Sequence, residues 1–254
     1  MDFTEKYTND KEKRLLLRKI KDLIQRAEKS YTVLYSAFLD PASQALLCRV
    51  SEFTGRISLT GGYEDAERRL CRVNPGEYAE DSGAPIVLWE VNSPVREAVF
   101  SHRDVLGSLM GLGIRRDMIG DILPHENSAL FFCHTSSSDF IRWNLTKIGH
   151  YPVNLSPASF SQVPTPSFTL RTVNVPSLRL DCIAGEAFGL SRTKAAEAIR
   201  KGLVFVNWLE ITDPSHEIHP GDKISLRGKG KIEIDEVSGM SKKGRLFIQL
   251  RQKQ

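Results

Sequence analysis

Apolar residues recur at Leu16, Ile20, Leu23 and Ala27, with Leu17 and Ile24 beside them, a spacing that predicts a helix over 11–28 with one core face. Its other positions are Lys, Arg, Asp and Gln, so the KEKR and RKIK clusters read as a solvated face. A second apolar element covers 31–38. Asp40-Pro41 then looks like a helix start, ahead of a helical run over 42–53. Ile57-Ser58-Leu59 alternates like a short strand, and 69–73 is its expected partner. Gly61 and Gly62 between them permit a tight turn with positive φ. After the punctuation of Asn74-Pro75-Gly76 and Asp81-Ser82-Gly83, the pattern predicts a strand at 85–91, a helix at 103–110, a strand at 129–133 and a helix at 138–147. Extended stretches follow at 151–155 and 168–175.

This order predicts a multidomain α+β chain: a small N-terminal α+β domain at 1–76, a central domain at 77–170 and a C-terminal module at 177–254. The central domain reads as a sheet with helices on one face, ferredoxin-like or RRM-like. The aromatic RNP pattern of a true RRM is not visible. The Ser-, Pro- and Thr-rich stretch 156–167 reads as a linker.

In the C-terminal module, Leu178, Cys182, Ile183 and Ala187 have helix spacing up to Gly189. Ser191 is a good N-cap for a second helix over 191–201, which Gly202 stops. At about 100° per residue Ala195, Ala196, Ala198 and Ile199 fall on one side, opposite Lys194, Arg200 and Lys201 with Glu197. Leu203 to Val206 is β-branched and aromatic, and Asn207 begins a turn. Two helices packed as a hairpin place Arg179, Arg192 and Lys194 near free backbone N–H groups, a shape suited to a phosphate backbone.

Charge sharpens the picture. From Leu178 onward there are 14 Lys+Arg against 10 Asp+Glu, a surplus that equals the formal +4 of the whole chain. The excess therefore sits in the C-terminal module and favours a polyanionic partner there. Composition is otherwise that of a globular protein, 41% hydrophobic and 26% charged. Cys48, Cys71, Cys133 and Cys182 form no C-x-x-C pair, and the six histidines show no metal-ligand spacing, so free thiols in a reducing compartment and no metal site are expected. The polar N-terminus and the absence of a long apolar run point to the cytoplasm rather than a membrane.

Candidate chemistry elsewhere is thin. His102-Arg103-Asp104 imitates a kinase catalytic loop, but the Asn, the DFG and the glycine-rich loop are missing. Gly107, Gly111 and Gly113 make no P-loop, since no GK[ST] follows; the first two instead permit close helix packing. Arg68 and Arg69 beside the Gly61-Gly62 turn, and Arg115 and Arg116 after Gly113, leave phosphate contact and simple surface charge evenly matched.

Arg179-Leu180-Asp181, Ser191-Arg192, KGLVFVN at 201–207 and GDKISLRG at 221–228 resemble the S-four domain, an RNA-binding module named after the fourth small-subunit ribosomal protein. That resemblance implies an αα hairpin packed on a small sheet. GGYEDAERR at 61–69 and HRDVLGSLMGLGIRRDMIGDI at 102–122, in that order before this domain, with FLDP at 38–41 and VNW at 206–208, resemble the YlmH family of bacterial ribosome-associated proteins. The resemblance implies a non-catalytic, cofactor-free factor that binds structured RNA (rRNA and tRNA) on the large ribosomal subunit, contacts peptidyl-tRNA and takes part in quality control of stalled complexes. No DNA partner is expected. The RNA-contacting set is Arg179, Ser191, Arg192, Lys194, Arg200, Lys201, Asn207 and Trp208, with Arg68, Arg69, Arg115 and Arg116 as a secondary set. Trp208, where the general pattern has glycine, is open to two roles, stacking on a base or packing in the hairpin. Two alternatives stay beside this one: a photosystem-II-associated S-four protein, and an RNA-modifying enzyme. Pseudouridine synthases use Asp in an RLD context, but here RLD opens the S-four helix and no synthase domain follows.

Overall fold

The structure is a computed structural model describing residues 3–125, 127–164, 168–241 and 244–253. The chain forms two compact units, Met1–Pro164 and Thr165–Gln254.

In the first unit, α1 (Lys11–Ser30) begins where the Asp10 carboxylate accepts the Glu12 and Lys13 N–H groups, and ends at Tyr31 in a left-handed conformation. Its buried Leu17, Ile20, Ile24 and Ala27 share one core with Leu47, Phe53 and Val73. β1 (Leu34–Leu39), α2 (Pro41–Cys48), β2 (Ile57–Thr60) and β3 (Arg69–Val73) follow. The three strands are antiparallel in the order β1-β3-β2. The helix expected over 42–53 stops at Cys48. Val50 is extended and a single 3-10 turn covers Ser51–Phe53, which lets Val50 and Phe53 both enter the core.

The same unit continues with β4 (Ile86–Asn92), α3 (His102–Gly111), β5 (Ile119–His125), β6 (Ser128–His134), α4 (Thr135–Asn144), the short pair β7 (Lys147–Ile148) and β8 (Tyr151–Pro152), and β9 (Asn154–Pro157). The main sheet is antiparallel throughout in the order β5-β6-β4-β9. With α3 and α4 as crossovers this is the βαββαβ arrangement of ferredoxin-like folds, in keeping with the fold class the pattern predicts. α4 is capped by His134, whose Nδ1 accepts the Ser136 N–H at 3.2 Å. That role requires the neutral ring, and burial lowers the pKa of the imidazole accordingly.

The helix expected at 138–147 lies at Thr135–Asn144, with Lys147 in β7, and strand β5 is a further element that the hydrophobic pattern does not reveal. Gly120, Asp121 and Pro124 are poor strand formers, yet Ile119 pairs with Cys133 and Leu123 with Leu130. Gly120 belongs there because a Cβ would lie 2.8 Å from the Phe38 ring and 2.9 Å from Phe132 Cβ. Gly107 and Gly111 behave differently from expectation: a Cβ at either would meet nothing within 4 Å, so no close helix packing depends on them.

Both faces of the four-stranded sheet are covered. Trp89, Val91, Phe131 and Cys133 pack with Val105 and Leu109 of α3 and Ile141 of α4. On the opposite face Ile86, Leu88, Leu130 and Phe132 share a core with Phe38 and Leu70 from the N-terminal strands. Tyr63 and Phe160 stack on Phe132 at 5.1 and 6.0 Å between ring centroids. The Ala158 N–H donates to Leu88 O at 3.0 Å. The first part of the expected linker is thus seated on the sheet, whereas 165–167 lies outside the described residues.

In the second unit, β10 (Phe168–Val175), α5 (Leu180–Phe188), α6 (Arg192–Arg200), β11 (Val204–Val206), β12 (Leu209–Glu210), β13 (Lys223–Leu226), β14 (Gly230–Met240) and β15 (Leu246–Lys253) form a helical hairpin and a six-stranded sheet. The sheet order is β10-β15-β14-β13-β11-β12. The stretch 168–175, which the sequence groups with the central domain, instead pairs along its whole length with β15. Its inward Val173 and Val175 meet Ile248 and Leu250 in the C-terminal core. Among the described residues, no helix is long and apolar enough to cross a membrane.

Gly120→Ala should lower stability by about 1–3 kcal/mol, the cost of overpacking. Gly107→Ala, placed in open space on α3, should raise it by about 0.5–1 kcal/mol. Urea unfolding of the two variants checks both signs.

Candidate nucleic-acid interface

α5 and α6 owe their close approach to glycine: a Cβ at Gly185 would lie 3.2 Å from Leu190 O. Gly189, at φ 65°, ends α5 in the left-handed region. Ser191 then caps α6, its hydroxyl accepting the Lys194 N–H at 3.3 Å. In the first turn of α5, Asp181 is only 4% exposed. The Arg179 Nε donates to one of its carboxylate oxygens at 3.2 Å, and the Arg192 Nε to the other at 2.9 Å. Burial alone would raise the Asp181 pKa. The hydrogen bonds from Arg179 and Arg192 outweigh it and hold the carboxyl below its ordinary range.

One shielded carboxylate therefore fixes two guanidiniums whose outer edges still reach solvent. Arg192 shares the inner arc of α6 with Ala196 and Ile199, at about 100° per residue, which is why it turns toward α5. Lys194 and Lys201 lie on the outer arc, and Arg200 is exposed on its flank. Lys201 Nζ donates to Glu197 at 2.6 Å, one turn back on the exposed face. Such a pair contributes little in water and can re-form around a phosphate.

The β11–β12 turn holds Asn207 at φ 48° and Trp208 at φ 62°, the two positive values of a type I′ hairpin. The Asn207 side chain is committed within the protein: its amide donates to Asp222 at 2.7 Å and its oxygen accepts the Lys223 N–H at 3.0 Å. Trp208 is half-buried, with the Lys223 ammonium 5.5 Å from its ring centroid. A left-handed tryptophan costs about 1–2 kcal/mol relative to glycine there.

Arg179 and Arg192 are thus brought together, Lys194, Arg200 and Lys201 extend the surface along α6, Ser191 serves as a cap, and Asn207 and Trp208 sit on the separate hairpin. The four arginines of the secondary set, all in the first unit, have other employment. Arg68 donates to the carbonyls of Ile119, Phe38 and Arg116, and Arg69 to those of Ala66 and Glu64. Arg116 donates to Ile119 O at 2.7 Å, and burial followed by neighbouring Arg68 pulls its pKa down to about 10. Arg115 is exposed and ion-paired with Asp117 at 3.0 Å. Asp121 anchors the Arg68 segment, accepting from the Tyr63 hydroxyl and the N–H groups of Glu67 and Arg68. Sequence reasoning did not single out Asp181 as the positioning group, or Lys223 beside Trp208. An acid within the buried run Leu180–Gly185, flanked by Arg179 and Arg192, is the signal that identifies the first.

Asp181→Asn should weaken RNA binding by about tenfold, the worth of one charge-assisted hydrogen bond, although it removes a negative charge near the polyanion. Filter binding at constant salt checks the direction, and a rise in affinity would reduce Asp181 to a repulsive charge. Because the folded-state pKa is depressed, the carboxylate's stabilisation is present above about pH 4 and is lost as pH falls through the folded value. The stability gap between wild type and Asp181→Asn in urea should therefore close in acid.

Residues 80–162 match the family model described as "Putative RNA-binding domain in YlmH", and residues 179–224 match that of the S-four domain. The ribosome-associated protein quality control protein P2 of Bacillus subtilis is 32% identical over 224 residues, spanning 85% of this chain and 86% of that protein. Among solved structures, the cell division protein ylmH from Streptococcus pneumoniae is similar over 61% of this chain and 96% of its own, with 25% identity and a TM-score of 0.49. The 32% identity to quality control protein P2 over most of both sequences, together with the two domain matches in order, means that the chain belongs to the YlmH family, the family of that protein.

Proposed function

We propose that this protein is a non-catalytic RNA-binding factor that associates with the large ribosomal subunit in the cytoplasm, gripping rRNA and tRNA during quality control of stalled peptidyl-tRNA complexes. The observation that carries this reading is the pair of guanidiniums fixed by Asp181 at the head of a basic helix. Two pre-oriented forks suit phosphate oxygens better than mobile side chains do, because less rotamer entropy is lost on contact. Lys194, Arg200 and Lys201 add sequence-independent attraction along α6, and phosphate contacts of this kind position a protein rather than read bases. Trp208 offers a ring at the end of a short hairpin, where an unstacked base can meet it. The printed name of the Bacillus subtilis relative supplies the ribosomal setting. Asp181 itself is shielded and held by both arginines, which supports a positioning role over the catalytic one that its RLD context suggests.

The test is co-sedimentation with purified ribosomal subunits across a salt series, with and without peptidyl-tRNA. Wild type should bind the large subunit, more tightly with peptidyl-tRNA, and lose affinity steeply with salt. Arg192→Gln with Lys194→Glu, which removes the guanidinium without setting a second carboxylate against Asp181, should abolish most binding while the protein stays folded, and should flatten the slope of log affinity against log salt by roughly 1.5. Binding by the double variant equal to wild type would move the RNA surface elsewhere. Failure of wild type to bind either subunit would end the ribosomal reading.

A further inference from the structure

The central sheet has no open face on which a base can stack. Leu88, Leu130 and Phe132 are buried on one side, and Trp89 and Phe131 on the other. A contact between residues 86–157 and nucleic acid must therefore use a helix or a loop. Helix α4 carries what such a contact requires. Its inner side is satisfied by Ser137, Ser138 and Ile141, the Ser138 hydroxyl accepting from the Trp89 indole at 3.1 Å. Phe140 and Trp143 nevertheless stand 49% and 74% exposed. They are three residues apart and so neighbours on one helix face. The Arg142 guanidinium lies 5.3 Å from the Trp143 ring centroid. Lys147 and His150 follow in the chain, both exposed, and Asp139 is the sole carboxylate in the sequence 135–152.

We propose that the outer face of α4 is a stacking platform for an unpaired RNA base, with Trp143 taking the base and Arg142 and Lys147 its flanking phosphates. The ligand class rests on the RNA-binding reading above; the position does not. A protein partner would also cover an indole, and charge decides between the two: two cations, Arg142 and Lys147, against one carboxylate favour a polyanion. Aromatic rings interleaved with cations are the elements of a sequence-tolerant single-strand site.

The experiment titrates the full chain with an oligouridylate RNA of about ten nucleotides, within the usual span of single-strand sites, and follows tryptophan emission in a Trp208→Phe background. Of the three tryptophans only Trp143 is then exposed, since Trp89 is buried. Emission should be quenched on binding. Trp143→Ala should weaken the RNA by about tenfold, within the range of one stacked base, and Trp143→Phe by less. Both effects should persist when Arg192→Gln and Lys194→Glu are added, because the platform is a separate surface. Wild-type affinity in Trp143→Ala, or no oligouridylate binding by the unaltered chain, overturns the proposal. So does a Trp143→Ala chain that loses affinity for ribosomal proteins stripped of RNA but not for the oligonucleotide. None of these results touches the S-four reading, which the subunit sedimentation decides.

Discussion

A four-stranded antiparallel sheet has two faces to keep from water, and in this chain neither is left to solvent. Helices α3 and α4 cover one, as a βαββαβ fold dictates. The other is covered by side chains from the three-stranded N-terminal sheet, with Phe38 and Leu70 reaching Leu88, Leu130 and Phe132. Much of the first unit follows from that second contact. Gly120 lacks a side chain so that Phe38 can approach, Tyr63 and Phe160 stack on Phe132, and Asp121 gathers the 63–68 segment with three hydrogen bonds. Arg68 and Arg116 complete the join by donating to backbone carbonyls.

The same residue type does opposite work in the two units. In the first, Arg68, Arg69 and Arg116 are spent on backbone carbonyl oxygens. In the second, Arg179 and Arg192 are held by a carboxylate that faces inward while their own outer edges face water. Net charge follows the same division, with all of the surplus in the C-terminal module. A basic residue is thus informative about nucleic acid only once its existing partners are known.

Much of this was legible in the chain itself. The caps at Asp40 and Ser191, the βα alternation from Ile86 onward and the helical hairpin all follow from local spacing, because local hydrogen bonding and burial agree there. β5 was not, since Gly120, Asp121 and Pro124 are strand-compatible only beside β6 and under Phe38. The stretch 168–175 was read as extended, but its partner β15 lies some seventy residues away by the register Val175 to Leu246, and no local signal encodes such a pairing. In the candidate site, charge and cap residues were visible one by one. The carboxylate that organises them was not, because periodicity records where a side chain lies and not which partner it meets. Phe140 and Trp143 were hidden for a related reason: aromatic residues resemble core until the fold shows Ile141 and Leu145 filling it.

The location of Asp181 has a consequence for when the basic surface exists. Its two arginines come from different places, one at the cap before α5 and the other at the opening of α6. An unfolded C-terminal module would carry the same number of positive charges but would not hold them as a matched pair. Attraction to a polyanion would survive unfolding, whereas geometric recognition would arise only when the hairpin closes. In such a module, selectivity is a property of the folded state, and crude affinity is a property of the composition.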